Sequence, residues 1–326
     1  MIWHPVVDTP CALGESPFWH PQEQRLYWVD IEAHELKRCG AQGQDLQTWR
    51  VPSEPGCIAP ARNAAGQPSG LVLALRDGFY RAAEWGGPLK LLAPALHDPT
   101  RWRFNDGKAD PTGRFWASTI YEPRGESLAC LYSFESPAQA AGAANALPAL
   151  QLRAEGATVG NGLAWSPDAR TLYWGDTTTH TVRAWDWDAA HNTLQHERVF
   201  ARWPTKPAGW QAWGSDAAQT SGYQPGYGGR PDGAAVDAEG NYYVAMFEGA
   251  RVLKLSPAGA VLAEFPVPAA CPTMPCFGGP DLRTLYLTTA RHQRSAAELQ
   301  GWPLSGCVFA MRADVPGLPV NFFIDQ

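Results

Sequence analysis

The sequence has no run of about 18 apolar residues, so no segment reads as a membrane-spanning helix. Charge is scarce as well. Charged residues make up 18% of the 326, the net charge is −6, and nowhere do five lysines and arginines run together. That leaves no electrostatic footprint for a nucleic-acid backbone or an anionic membrane surface, and the expected partner is a small molecule. The opening stretch MIWHPVVDTPCALGESPFW lacks the basic and apolar regions of a secretory leader, which makes the cytoplasm the expected location. The seven cysteines (Cys11, Cys39, Cys57, Cys130, Cys271, Cys276 and Cys307) include no CxxC pair, so reduced and mostly buried thiols are expected rather than disulfides or a metal clip. GxGxxG, P-loop, HExxH and GxSxG patterns are all missing, which removes the usual support for dinucleotide, nucleotide, zincin and serine-hydrolase chemistry.

What is present is a chain that is 45% hydrophobic, with 32 glycines and 29 prolines and no G-X-Y period. Such a composition spends glycine and proline on turns between many short elements. An internal repeat orders them. Trp19-HPQEQR-LYWVD and Trp165-SPDART-LYWGD share an aromatic, a polar turn and an alternating β-rich run. Weaker copies are Ala109-DPTGR-FWAST, Val236-DAEGN-YYVAM and Phe277-GGPDLRT-LYLTT, with a less regular one from Leu71. The second runs begin near 26, 71, 115, 172, 242 and 285, and a period in the forties is that of a four-stranded propeller blade. The expected fold is therefore all-β, one six-bladed β-propeller domain over residues 1–326. Runs from 34, 128, 181, 251 and 307 are read as outer strands, and AAELQ from 296 as the one short helix. Residues near 2–7 are expected to pair with the last blade and close the ring, because an open ring would expose two sheet edges.

Two spacings exceed the period. The Ala/Pro-rich stretch from 135 reads as a surface loop. Residues 203–230 combine three tryptophans, two tyrosines and several glycines, and read either as a lid or as a plug packed on its own aromatics. Trp203, Trp210 and Trp213 could stack on a sugar face if that loop closes.

Polar residues interrupt the repeat at one phase: Gly14-Glu15-Ser16-Pro17, Asn105-Asp106-Gly107-Lys108, Gly160-Asn161-Gly162 and Pro231-Asp232-Gly233. Equal phase on different blades means equal height around the central channel, so these oxygens should converge. A ring of Glu, Asn, Asn and Asp without Cys or His is a hard-ligand set suited to Ca²⁺, Mg²⁺ or Mn²⁺. Two carboxylates nearly neutralise the cation and leave positions open, which suits catalysis. Lys108 and Asp106 are read as turn residues, one solvated and one capping. Among the eight histidines, His292 is the one within reach of the channel mouth.

The motifs GESP at 14, RFNDGK at 103, NGLAWSPD at 161, PDGxxVDAEG at 231 and FGGxDLxTLY at 277 together resemble the gluconolactonase / regucalcin family, which includes senescence-marker-protein and luciferin-regenerating-enzyme-like members. The resemblance spans nearly the whole chain. It implies a six-bladed propeller with one divalent metal in the central channel (Ca²⁺, Mn²⁺, Zn²⁺ or Fe²⁺) and hydrolysis of sugar lactones. By motif position it makes Glu15, Asn161 and Asp232 the metal ligands and Asp232 the catalytic residue. Arg103, Asn105 and Glu122 would bind substrate. Residues 203–230 depart from the shorter members.

The expected function is that of a metal-dependent lactonase converting an aldono-1,4- or 1,5-lactone to the aldonic acid. The cation would stabilise the developing oxyanion, and Asp232 would either take the proton of the attacking water or only orient that water. Two other readings use the same site: a phosphoesterase or phosphofluoridase, and a non-catalytic Ca²⁺- or sugar-binding propeller.

Overall fold

The computed structural model describes residues 2–136, 150–210 and 227–325. Short buried runs separated by turn residues fold into six antiparallel sheets. Each sheet starts with a strand on the central channel: Gly14–His20, Pro55–Asn63, Trp102–Ala109, Gly160–Trp165, Arg230–Val236 and Pro272–Gly278. The β-rich runs identified in the repeat are the second strands, Arg25–Asp30, Pro68–Leu75, Phe115–Tyr121, Thr171–Asp176, Tyr242–Phe247 and Thr284–Thr289. Blades 1 to 6 follow in chain order, giving the six-bladed propeller expected.

The runs read as outer strands are in fact third strands. In blades 1 to 5 a further strand lies beyond the third, such as Gln47–Arg50, Gln151–Ala157 or Thr193–Arg202, at best half-buried and so with little hydrophobic pattern to betray it. In blade 6 the fourth strand is His4–Val7, which pairs antiparallel with Val308–Arg312 through His4 and Ala310. This is the ring closure expected. The one helix among the described residues is Ala296–Gly301, begun by Ser295, whose side chain accepts from the Glu298 amide.

Aromatics fill the wedges between blades. Trp116, Trp165, Trp174, Trp185 and Trp187 pack between blades 3 and 4, and Phe79, Phe104, Phe115 and Phe134 between blades 2 and 3. All seven cysteines are free thiols, and all but Cys130 are buried. No helix among the described residues is long and apolar enough to cross a membrane.

After blade 6 the chain crosses the lower face of the ring. Ala238 N donates to Pro316 O at 2.9 Å, Asn321 Nδ2 to Ala109 O at 3.2 Å and Ile324 N to Gly113 O at 2.9 Å. The strand Phe323–Asp325 then lies parallel to Pro55–Asn63, with Phe323 buried beside Phe134. This strap is a second closure that the repeat pattern does not contain.

Candidate active site

All six channel strands shift register near their upper ends, between Glu15 and Phe18, Pro55 and Cys57, Phe104 and Gly107, Asn161 and Ala164, Pro231 and Ala234, and Pro272 and Met274. A shift of this kind re-aims the residues around it, which is how polar side chains leave the sheet plane for the channel. Gly162 shows why the sequence must be what it is there. Its φ is +64°, and a Cβ would stand 2.4 Å from the Tyr242 Oη, whose hydroxyl donates to the Gly162 carbonyl at 2.7 Å. The expected turns are therefore irregularities inside strands.

Glu15, Arg103, Asn105, Asn161 and Asp232 are all buried at this level. Asn105 Nδ2 donates to Asn161 Oδ1 and to Gly160 O, both at 2.9 Å, and Asn161 Nδ2 donates to Thr177 Oγ1 at 2.8 Å. Arg103 Nη1 donates to Asn105 Oδ1 at 2.9 Å, and its Nε lies 3.9 Å from Glu122 Oε1. Glu122 sits on the turn after Phe115–Tyr121, more exposed than the rest, and is also paired with Arg76 at 3.0 Å. The structure thus brings Arg103, Asn105 and Asn161 into one hydrogen-bonded chain and leaves Glu122 at its rim.

Glu15 accepts from the Ser16 amide at 3.0 Å. Burial pushes its carboxyl well above the ordinary value, and the charges of Asp232 and Asp106 push the same way. Asp232 is raised likewise by burial and by Asp106, with Arg230 and Arg103 opposing. Among the described residues neither carboxylate has an ion-pair partner.

Two expectations are corrected. Asp106 caps no turn: its Oδ2 accepts from the Leu163 amide of blade 4 at 2.8 Å, and its Oδ1 is buried without a partner. Lys108 is not solvated, because Asn105-Asp106-Gly107-Lys108 is strand rather than turn; its ammonium donates to the Ala234 carbonyl of blade 5, and burial pushes it down from its ordinary value. Below it the channel widens into an apolar cavity of about 270 Å³, lined among others by Ile58, Trp165, Met274, Phe277 and Leu318 of the strap.

Among the described residues no group of three His, Cys, Asp or Glu side chains forms a metal cage. The candidate set of two carboxylates and one amide still fits a hard divalent cation, because Glu15 and Asp232 are buried acids close enough to repel each other and make no direct ion pair among the described residues. Asn161 Oδ1 spends one lone pair on Asn105 and keeps the second.

His292 lies 3.5 Å from Glu32 on the same upper face. Trp203 packs on the core between blades 4 and 5, and Trp210 meets Tyr227 edge-on at 4.9 Å. Trp213 and residues 211–226 of the aromatic stretch, like 137–149 of the Ala/Pro-rich one, fall outside the described residues. Motif reading missed the rim residues His180, Arg124 and Arg230, because they converge from three blades and share no local pattern.

The propeller and this site, taken with its relatives, define an enzyme of the carboxylic-ester hydrolase class, a lactonase. The chain belongs to the SMP-30/Gluconolactonase/LRE-like family, whose model matches residues 13–291. It is 41% identical over 320 residues to the 6-deoxy-6-sulfogluconolactonase of Pseudomonas putida, a match covering 98% of this chain and 97% of that one. It is 31% identical over 287 residues to a pentonolactonase of Haloferax volcanii, covering 87% and 84%. Among solved structures, the calcium-binding protein regucalcin of Agrobacterium tumefaciens shares the fold with a TM-score of 0.82 at 22% identity, over 98% of this chain and 96% of that one.

Proposed function

We propose that the chain is a divalent-metal-dependent sugar lactonase that hydrolyses an aldono-1,4- or 1,5-lactone to the free aldonic acid. The observation that carries this reading is the pair of buried, mutually repelling carboxylates, Glu15 and Asp232, beside the Arg103–Asn105–Asn161 chain. Glu15, Asn161 and Asp232 would hold the cation, with Ca²⁺, Mn²⁺, Zn²⁺ and Fe²⁺ as candidates; when bound, it supplies Lewis-acid polarisation of the lactone carbonyl.

The remaining work falls to the chain itself. Arg103, with Asn105 beside it and Glu122 at its rim, binds the sugar hydroxyls. Asp232 orients the attacking water and takes its proton as the water oxygen bonds to the carbonyl carbon. The ring C–O bond then breaks, and the alkoxide leaving group takes up a proton, which balances the step. The aldonolactones named for the two relatives support the substrate class. Residues 1–326 act as one domain. The seven free thiols support a reducing, cytoplasmic setting.

The test is proton release from a panel of aldonolactones by chelator-stripped protein, with and without each of the four ions. Metal-restored acid production above spontaneous ring opening is expected. No acid from any lactone, with a metal-induced rise in melting temperature still present, would overturn the reading in favour of a binding module.

A further inference from the structure

The upper rim carries more positive charge than its acids occupy. Arg230 opens the channel strand of blade 5, two residues before Asp232. Its Nη2 lies 3.4 Å from Glu248 Oε2, and the same nearly buried carboxylate receives Lys206 Nζ at 2.9 Å and Arg294 Nη1 at 3.1 Å. Three cations thus share one acid, and Glu298 answers only Arg294. On blade 3, Arg124 ends the turn after Phe115–Tyr121 with a φ of +56°. Its side chain forms no ion pair among the described residues, while the charges of Arg230, Glu122 and Asp232 all reach it.

Around Arg230 the polar atoms are short of partners. Among the described residues, Arg230 Nε, His180 Nδ1, Tyr227 Oη and Trp210 Nε1 are all buried without a hydrogen bond. His180 and Tyr227 are each only 2% exposed, and their rings lie 5.7 Å apart. The charges of Arg230 and Glu248 act on both. A buried polar group left unpaired is costly, so these four atoms, one of them on Arg230 itself, mark a place suited to a polar ligand. The ligand that satisfies guanidinium groups and N–H and O–H donors together is an anion with several acceptor oxygens.

We propose that Arg124 and Arg230, backed by His180, Tyr227 and Trp210, form a subsite for a fixed negative charge on the substrate, carried at the end of the sugar remote from the lactone carbonyl. The proposal rests on the lactonase reading, because Asp232 must mark the carbonyl end. It makes the enzyme selective for lactones of acidic sugars: a sulfonate, a phosphate or a second carboxylate would each offer the same recognition chemistry. A neutral terminal hydroxyl would leave both arginines unanswered.

The experiment compares kcat/KM for gluconolactone with that for its 6-sulfonate and 6-phosphate forms and for the lactone of the 6-carboxylate, in the metal-loaded enzyme. At least one anionic lactone should exceed the neutral one by about tenfold or more, the ranking identifies the anion, and added salt should shrink the ratio. Arg124→Gln and Arg230→Gln should each collapse that ratio, chiefly through KM, and Arg230→Lys should restore part of it. Arg312→Gln, on the outside of blade 6, should keep it. Calorimetric binding of 6-sulfo- and 6-phosphogluconate to metal-free protein gives a readout independent of turnover, weakened by about tenfold in Arg124→Gln. Hydrolysis of the neutral lactone with no anionic preference, or a preference that survives both glutamine variants, would overturn the subsite and leave the lactonase reading standing. No hydrolysis of any lactone would overturn the lactonase reading itself.

Discussion

The upper and lower halves of the central channel are built from the same six strands, yet they share almost no chemistry. At the register shift stand Glu15, Asn105, Asp106, Asn161 and Asp232, a group of buried carboxylates and amides in which Glu15 and Asp232 are both pushed above their ordinary values by burial and by neighbouring acids. Below it the same strands present Ile58, Trp165, Met274 and Phe277 around an apolar cavity that the strap also lines. Irregular hydrogen bonding separates the two halves, so residues that the core does not require can occupy the top while the bottom keeps ordinary packing. Function and stability are thereby placed a few residues apart on one strand.

Substitutions that act on only one half test that separation. The largest effect belongs to the top: Asp232→Ala should lower kcat/KM by about 10³-fold or more if Asp232 moves the proton as proposed. Its melting temperature in metal-free buffer should hold or rise, since a buried unpaired carboxylate is gone. Activity close to wild type in a proton-release assay would break the site assignment. At the bottom, Phe323→Ala should cost about 3 kcal/mol in denaturant unfolding while activity per folded molecule stays level. A proportional loss of turnover would show that the halves are coupled. Asn105→Ala removes the donor that orients Asn161, and should weaken Mn²⁺ binding by about tenfold in a calorimetric titration. Undiminished affinity would mean that Asn105 does not orient a metal ligand. The smallest change is expected away from the channel, where Val199→Thr on the exposed strand Thr193–Arg202 should alter stability by no more than about 0.5 kcal/mol.

The same contrast explains what could be read from the sequence. Second strands such as Arg25–Asp30 and Thr171–Asp176 are buried almost throughout, so their β-rich runs announced both blade count and period. Fourth strands such as Gln47–Arg50 and Val261–Pro266 lie at the solvent edge, held by backbone pairing that leaves little mark on side-chain choice. The polar residues at the top stood out because they break an apolar pattern, and the structure gathers Glu15, Arg103, Asn105, Asn161 and Asp232 at one level. Their setting was less legible: Asn-Asp-Gly is turn chemistry by composition, and only pairing with the neighbouring strand makes Lys108 a channel residue. The inner strand Pro55–Asn63 has no polar residue at the site's phase and so no motif. Arg124, His180, Tyr227 and Arg230 meet only after blades 3, 4 and 5 have assembled, which no local window can register.

Ring closure by His4–Val7 has a consequence for the order of folding. The strand His4–Val7 is made long before its partner Val308–Arg312, so blade 6 cannot complete its sheet until the strands of all six blades have left the ribosome. The four antiparallel strands of each of blades 1 to 5 can form from local hairpins as they emerge, whereas the pairing of His4–Val7 joins the most distant parts of the chain and should be a slow step. Until it happens, the edge of Val308–Arg312 is open to the His4–Val7 segment of another copy. Exchange of that one strand between molecules during refolding at high concentration is therefore the characteristic error of this architecture.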